Sequence, residues 1–317
     1  MEARKESNPA RRSGLWRWIV PLVIAAAGIG ALVYFLAPYR ADIRTAIDRA
    51  SIGTLVEITA LSLVALPLRT EVWRTGLAAA GRRPPRSDLH AANSASLVAS
   101  LANHYLAPGV KMWLLRKMEG ERAAYLLKLV TIDLATTVIE AFLAGALVIF
   151  AAFQVSLQWW IPVLLLAGAS GLLLVAIVAW RRYPEHPVVE GFSVLMRPRY
   201  RWEVLILLIL VFGAQIVRTW LSLRSVGIPL DLGDALLVFV LTGVLGVLPS
   251  GVTAAPTAAS LIVLGSRGIG RAAASGILVT GSLVAASLAY FLVSVSVRFL
   301  ARHRQSTPVS PSGAALE

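Results

Sequence analysis

Three ionisable side chains lie inside strongly apolar stretches of this chain. Asp133 and Glu140 are seven positions apart in one stretch, and Arg218 lies deep inside another. On a helix, a spacing of seven places both carboxylates on one face. A guanidinium can grip two phosphate oxygens at once, so Arg218 is the first candidate for binding a phosphate-containing head group. An ion pair between Arg218 and one of the two acids explains the same residues equally well.

Three further polar residues are candidates for substrate binding. Asn103 and His104 precede the pair Pro108–Gly109, and Arg74 lies at the end of another apolar stretch. Asn103 and His104 either touch a head group or satisfy the backbone of a turn. Arg74 either contacts substrate or extends to the membrane interface, as long basic side chains do. The four histidines form no ligand set, and no nucleophile triad or nucleotide motif appears. We therefore expect no metal, no cofactor and no enzymatic activity.

The composition indicates whether these residues lie in water or in a lipid bilayer. Hydrophobic residues make up 57% of the chain and charged residues 15%, with a mean hydropathy of +0.73. Soluble domains carry roughly 25% charged residues. The apolar residues form runs near the length of about 20 residues that spans a bilayer. This predicts an all-α polytopic membrane protein. The net charge of +13 is spread between the apolar runs, so it does not indicate nucleic-acid binding.

Eight hydrophobic segments organise the chain. Six are predicted to be full spans: 16–36, 52–77, 122–150, 158–180, 203–224 and 271–299. The other two, 88–118 and 234–265, are interrupted at Ala107–Pro108–Gly109 and at Pro249–Ser250–Gly251. Proline removes a hydrogen-bond donor and glycine loosens the backbone, which disfavours a continuous spanning helix. We expect these two segments to form re-entrant hairpins.

The two hairpins begin with the same landmarks. Gly81 and Asp88 precede the first, and Gly227 and Asp234 precede the second at an offset of 146. Three full spans per half is an odd number, so the second half is expected to lie inverted relative to the first. Inverted repeats with paired broken segments are typical of secondary transporters, whose binding site lies where the hairpins meet.

The basic residues predict an orientation and a domain plan. Arginine and lysine cluster in alternate links between the segments, which places both termini in the cytoplasm of a multi-pass protein in the inner (plasma) membrane. One transmembrane domain is expected at 16–300, with halves of about 16–151 and 157–300. A basic tail at 1–15 and a disordered tail at 301–317 are expected on the cytoplasmic side.

Three arginines fit this orientation poorly. Arg40, Arg44 and Arg49 fall in the first outside loop, where basic residues are uncommon. Asp42 and Asp48 offset them in part, although acidic residues have little weight in this rule.

The two broken motifs resemble a known family. Asn103–Gly109 (NHYLAPG), Gly246–Val252 (GVLPSGV) and the phrase Val72–Arg74 (VWR) together resemble the membrane region of the lysylphosphatidylglycerol synthetases, which also occurs in stand-alone proteins. The resemblance covers roughly residues 15–300. It implies movement of a polar-headed lipid between leaflets. The full synthetases add an aminoacyl-transfer domain after this region, whereas only a short tail is expected here.

Two positions depart from the family pattern. After the first proline–glycine pair the family commonly has an acidic residue and an arginine, where this chain has Val110–Met112 (VKM). After the second it commonly has an acidic residue, where this chain has Val252–Thr257 (VTAAPT). We expect the head-group chemistry to differ accordingly.

The sequence leaves three functions open. The first is a lipid flippase that handles a phospholipid, glycolipid or similar substrate. The second is a proton-coupled transporter of a small solute that uses Asp133 or Glu140 as its proton site. The third is a non-transporting membrane partner of a lipid-modifying glycosyltransferase. The expected partners are therefore membrane lipids, together with a second copy of the chain or such an enzyme.

Overall fold

A computed structural model describes most of the chain as helices. The described residues are 23, 26–103, 105–119, 123–154, 160–183, 192–229, 231–246, 248 and 251–306. The α-helices are α1 (26–36), α2 (Arg40–Asp48), α3 (Ile52–Ala79), α4 (Arg86–Ala102), α5 (Leu106–Glu119), α6 (Ala123–Gln154), α7 (Trp160–Arg182), α8 (Ser193–Met196), α9 (Pro198–Ser225), α10 (Leu232–Leu245), α11 (Gly251–Leu264) and α12 (Ile269–Ser306). The predicted all-α class is confirmed.

Four of these helices contain segments long and apolar enough to cross a membrane. The segments are Ile52–Ala79, Thr131–Phe150, Pro198–Ser225 and Ile269–His303. They correspond to four of the six predicted spans. The predicted span at 158–180 coincides with α7, and the predicted span at 16–36 falls partly outside the described residues.

Local signals in the sequence fix where the helices begin. The Ser51 side chain accepts the backbone N–H of Thr54 and so caps α3. Asp231 and Asp234 form a reciprocal capping box at the start of α10. Proline occupies the first position of α9, where its missing N–H would have no partner within the helix.

The core forms around α3 and α9, which pack against each other along their lengths. Ala65 of α3 is buried together with Val211 and Phe212 of α9. The ring of Phe212 meets Phe239 of α10 edge to face, with centroids 5.1 Å apart. Helix α12 then packs on α3, α4 and α11, so it contacts both halves of the chain.

Each interrupted segment forms a pair of short helices. The pairs are α4–α5 and α10–α11, and within each pair the two helices pack against one another. A helix of 14 residues, such as α5 or α10, is about 21 Å long, which is short of the roughly 30 Å of a bilayer core. Neither helix of this length crosses a bilayer alone.

One of the two breaks lies at a different position from the one that the sequence predicted. The first falls between Ala102 and Leu106, whereas the sequence placed it at Pro108 and Gly109. Both of these residues lie in the first turn of α5. A proline is well tolerated there because the first N–H groups of a helix have no partner within it. The second break precedes Gly251, as expected, but Pro249 and Ser250 lie outside the described residues.

The two pairs are attached to opposite ends of α12. Arg298, near the end of α12, donates to Asp88 at the start of α4 at 2.6 Å. Arg267, just before α12, donates to Asp234 at the start of α10 at 2.5 Å. The two helix pairs therefore enter the bundle from opposite ends.

The inner tips of both pairs reach the middle of α12. Thr253, near the start of α11, accepts through its carbonyl from Thr280 of α12 at 3.1 Å. Leu97, in the last two turns of α4, packs in a cluster with Leu66 of α3 and Ala286 of α12. Thr280 and Ala286 are less than two turns apart, so the tips meet at one level.

The sequence offset of 146 recurs in the backbone. Gly81 and Gly227 follow long helices with φ of 80° and 78°, the left-handed conformation that stops a helix. Asp88 and Asp234 are both buried in the first turn of the next helix. The matching turns orient both helix pairs relative to the spans that precede them.

The last helix ends later than the sequence predicted. The tail was expected to begin at residue 301, but α12 continues to Ser306. Arg302 explains part of this extension, since its guanidinium lies 3.6 Å from Asp88 and holds the last turns against α4. The rest of the predicted tail, and residues 1–15, lie outside the described residues.

Candidate functional site

A buried arginine lies at the level where the two tips meet. Arg218 of α9 is 6% exposed, and its Nη1 donates to Ser62 Oγ of α3 at 3.2 Å. Ser62 Oγ lies 3.4 Å from Ser282 Oγ of α12, one turn from the α12 residues at the tips. The Nε of Arg218 has no hydrogen-bond partner among the described residues. A guanidinium buried among hydroxyl groups retains donors for an incoming anion.

The two candidate acids pair with other cations. Both carboxylate oxygens of Glu140 accept from Nη2 of Arg69, at 2.8 and 3.0 Å. The Arg69 side chain is 43% exposed and that of Glu140 is 21% exposed, so the ion pair is open on one side. Arg69 lies two turns from Ser62 on α3, which corresponds to about 10 Å along the axis.

Asp133 of α6 lies about one helical turn further along α3 than Glu140, beside Trp73. It accepts from the indole N–H of Trp73 on α3. Lys111 of α5 places its Nζ 3.6 Å from Asp133 Oδ1 and 2.9 Å from the centre of the Trp73 ring. A buried lysine held between a carboxylate and an aromatic face is stabilised as a cation by both.

These groups form a polar stripe along α3. Ser62, Arg69 and Trp73 are separated by seven and four residues, which places them on one helical face. The stripe carries three cations and two acids: Arg218, Arg69 and Lys111 against Glu140 and Asp133. One positive charge, on Arg218, is therefore in excess among these five residues.

A second polar cluster lies on another face of α3. Glu71 is 3.0 Å from His90 Nε2 of α4, and His90 Nδ1 is 2.6 Å from the Tyr290 hydroxyl of α12. Thr70 lies 2.7 Å from the same hydroxyl. Arg74 donates to Glu71, which places this predicted site residue away from the stripe. The cluster joins α3, α4 and α12 through hydrogen bonds.

The remaining predicted site residues lie at the helix breaks. Asn103 is buried, and its Oδ1 accepts the backbone N–H of Tyr105 at 2.9 Å. Its side chain thus satisfies the turn between α4 and α5. His104 lies outside the described residues. Gly251 begins α11.

Sequence reasoning did not single out several of the residues that build the stripe. Lys111 was noted only as a departure from a family pattern, and Arg69 was not a predicted site residue. The spacing of Ser62, Arg69 and Trp73 is the signal that was present. Three residues of polar or amphipathic type on one face of an apolar helix indicate a polar partner surface.

Comparison with known proteins adds no assignment. No family model, no curated protein and no solved structure matches this chain.

Proposed function

We propose that this chain is a membrane protein that moves a polar-headed lipid between leaflets, with Arg218 as the contact for its phosphate. The observation that carries the proposal is a buried guanidinium with a free Nε–H at the level where two helix pairs from opposite ends meet. Desolvation of such a charge costs several kcal/mol unless an anion accompanies it. A bound phosphate supplies that anion and accepts from several guanidinium N–H groups at once.

The architecture supports a route through the bundle. Two short helix pairs that enter as re-entrant hairpins, in inverted halves, would expose the central site from one side at a time. From Arg218 the polar stripe continues through Arg69 to Lys111, near the end of the bundle that holds Asp88. A head group can exchange partners along this stripe while its acyl chains remain in lipid.

The direct test measures leaflet exchange in proteoliposomes. The purified protein is reconstituted with a phospholipid labelled on its head group, and a membrane-impermeant quencher reports the outer fraction over time. We expect Arg218→Gln to slow exchange by about tenfold, the equivalent of one charge-assisted hydrogen bond. The control is Arg224→Gln, an exposed arginine on the same helix that lies over the Trp220 ring.

Stability distinguishes this role from a structural one. Removal of a buried charge without a counter-ion should raise the melting temperature, whereas loss of a structural ion pair would lower it. Arg218→Gln should therefore be slower in transport and more stable. Exchange at the wild-type rate in this variant, or no exchange of any phospholipid by the wild type, would reject the proposal.

A second candidate, proton-coupled transport of a small solute, is favoured by the hydrogen-bonded chain from Glu71 through His90 to Tyr290. Histidine is the side chain that exchanges protons most readily near neutral pH. This candidate predicts uptake driven by a pH gradient and lost in His90→Gln or Glu140→Gln. His303→Gln is the control. Uptake that is independent of the gradient excludes it.

A further inference from the structure

Three arginines lie far from the polar stripe, at the end of the bundle where α12 begins. Arg40 and Arg44 are exposed on α2, and Arg49 follows it with its Nη1 beside Gly227. In the predicted orientation this end faces outward, where arginine is uncommon. The proposed transport path does not use them, so their position has a separate cause.

Helix α2 is amphipathic and lies against the start of α12. Ala46 is buried in the core, with Ile43 and Ile47 partly buried beside it. Arg44 approaches Asp48 at 3.9 Å, but its side chain is 86% exposed. An ion pair this exposed contributes little, so Arg44 can turn to another anion at small cost.

An apolar cavity of about 420 Å³ opens beside these arginines. Val33 and Leu36 of α1, Ile43 and Ile47 of α2, and Ile277 of α12 line it. Arg40 and Arg44 border the same cavity, and they are four residues apart, which places them on one side of the helix. An apolar cavity with two cations at its edge matches the two parts of a phospholipid, an acyl chain and a phosphate.

We propose that this groove binds one phospholipid with a net negative head group. One acyl chain fills the cavity against Ile43 and Ile277, and the phosphate lies between Arg40 and Arg44. The α1 and α12 walls belong to apolar helices, so the occupant enters from the bilayer. A free phosphate could contact the two arginines but would leave the apolar cavity empty, which favours a phospholipid as the occupant. The site lies at the far end of α12 from the Asp88 contacts and does not require lipid movement.

The test counts bound lipids by native mass spectrometry in the Arg218→Gln background, so that lipid held at the bundle centre does not contribute. The probes are phosphatidylglycerol and phosphatidylcholine with identical acyl chains. We expect phosphatidylglycerol to bind preferentially, and Arg40→Gln with Arg44→Gln to weaken its binding by about tenfold. The matched control replaces two exposed arginines of the other end, Arg197→Gln with Arg199→Gln, and should bind as before.

A filling variant tests the acyl-chain part of the site. Ile277→Trp should reduce binding of both lipids, because the indole occupies the cavity. Val33→Trp should do the same from the opposite wall, because Val33 lines the cavity and its side chain is 63% exposed, which leaves room for the indole. Equal binding of the two lipids, unchanged binding in the double arginine variant, or full competition by glycerol phosphate would overturn the proposal. None of these outcomes depends on leaflet exchange.

Discussion

The two helix pairs begin alike and are held differently. Both follow a glycine with positive φ, and both carry a buried aspartate in the first turn. In α4–α5 that aspartate, Asp88, pairs with Arg298 of a distant helix. In α10–α11 its counterpart, Asp234, pairs with Arg267, directly after the second helix of the same pair. The ion pair of Asp88 therefore joins α4–α5 to α12, whereas the ion pair of Asp234 joins the beginning of α10–α11 to the residues just after it.

The two helix pairs also differ in the kind of contact that they make with the rest of the bundle. The first contributes His90 and Lys111 to polar clusters shared with α3, α6 and α12. The second meets α12 by close backbone approach, since a Cβ on Gly276 would overlap the backbone of Thr257. Polar contacts can be exchanged for a ligand, whereas interlocked backbones cannot. We infer that α4–α5 is the moving pair and α10–α11 the fixed one.

The largest effect is expected from the interlocked side. Gly276→Ala forces α11 and α12 apart and should lower the free energy of unfolding by about 3 kcal/mol. The control is Gly281→Ala in the same helix, where a Cβ meets nothing within 4 Å. This control should be neutral or slightly stabilising, because alanine favours helix over glycine. Unfolding in detergent measures both, and equal stabilities would remove the distinction between the pairs.

The two aspartates allow the same substitution at matched positions. Asp234→Ala removes both an ion pair and a helix cap, and should cost about 2 kcal/mol. Asp88→Ala should cost less in stability, since it removes an ion pair but no capping hydrogen bond, and it should loosen α4 from α12. Spin labels on these two helices report the distance. A larger stability loss at Asp88 than at Asp234 would reverse the assignment of fixed and moving pairs.

The smallest effect concerns one hydroxyl of α12 that contacts the moving pair. Tyr290→Phe keeps the ring, which meets His90 edge to face, and removes the hydroxyl that bonds His90 and Thr70. We expect a loss of about 1 kcal/mol, as for one buried hydrogen bond. Tyr34→Phe, on an exposed side chain, is the control. Thermal melting checks both, and an unchanged melting temperature for Tyr290→Phe would show that this cluster does not hold α4.

The sequence predicted the helical class and the elements that repeat, because both depend on local patterns. Hydropathy located the four helices that are long and apolar enough to cross a membrane, and Gly81 with Gly227 marked the two turns in which glycine has a positive φ. The partners of the charged residues were not predictable in this way. Asp133 contacts Trp73, and Glu140 contacts Arg69, through packing of α6 on α3 that no spacing within one helix reveals. An ion pair with Asp133 or Glu140 was one of two interpretations of Arg218, but its Nη1 donates to the Ser62 hydroxyl instead.

Helix α12 has a consequence for the electrical barrier of the membrane. It is interlocked with α11 near its start and paired with α4 near its end. Because α11 is interlocked with it and α4 is joined to it by exchangeable ion pairs, α12 stays with α10–α11 when α4–α5 moves. In the transport that we propose, the Asp88 end would open while the Arg267 end stays closed. A protein that opens at one end alone would keep a continuous water path from forming and would so preserve the ion gradients of the cell.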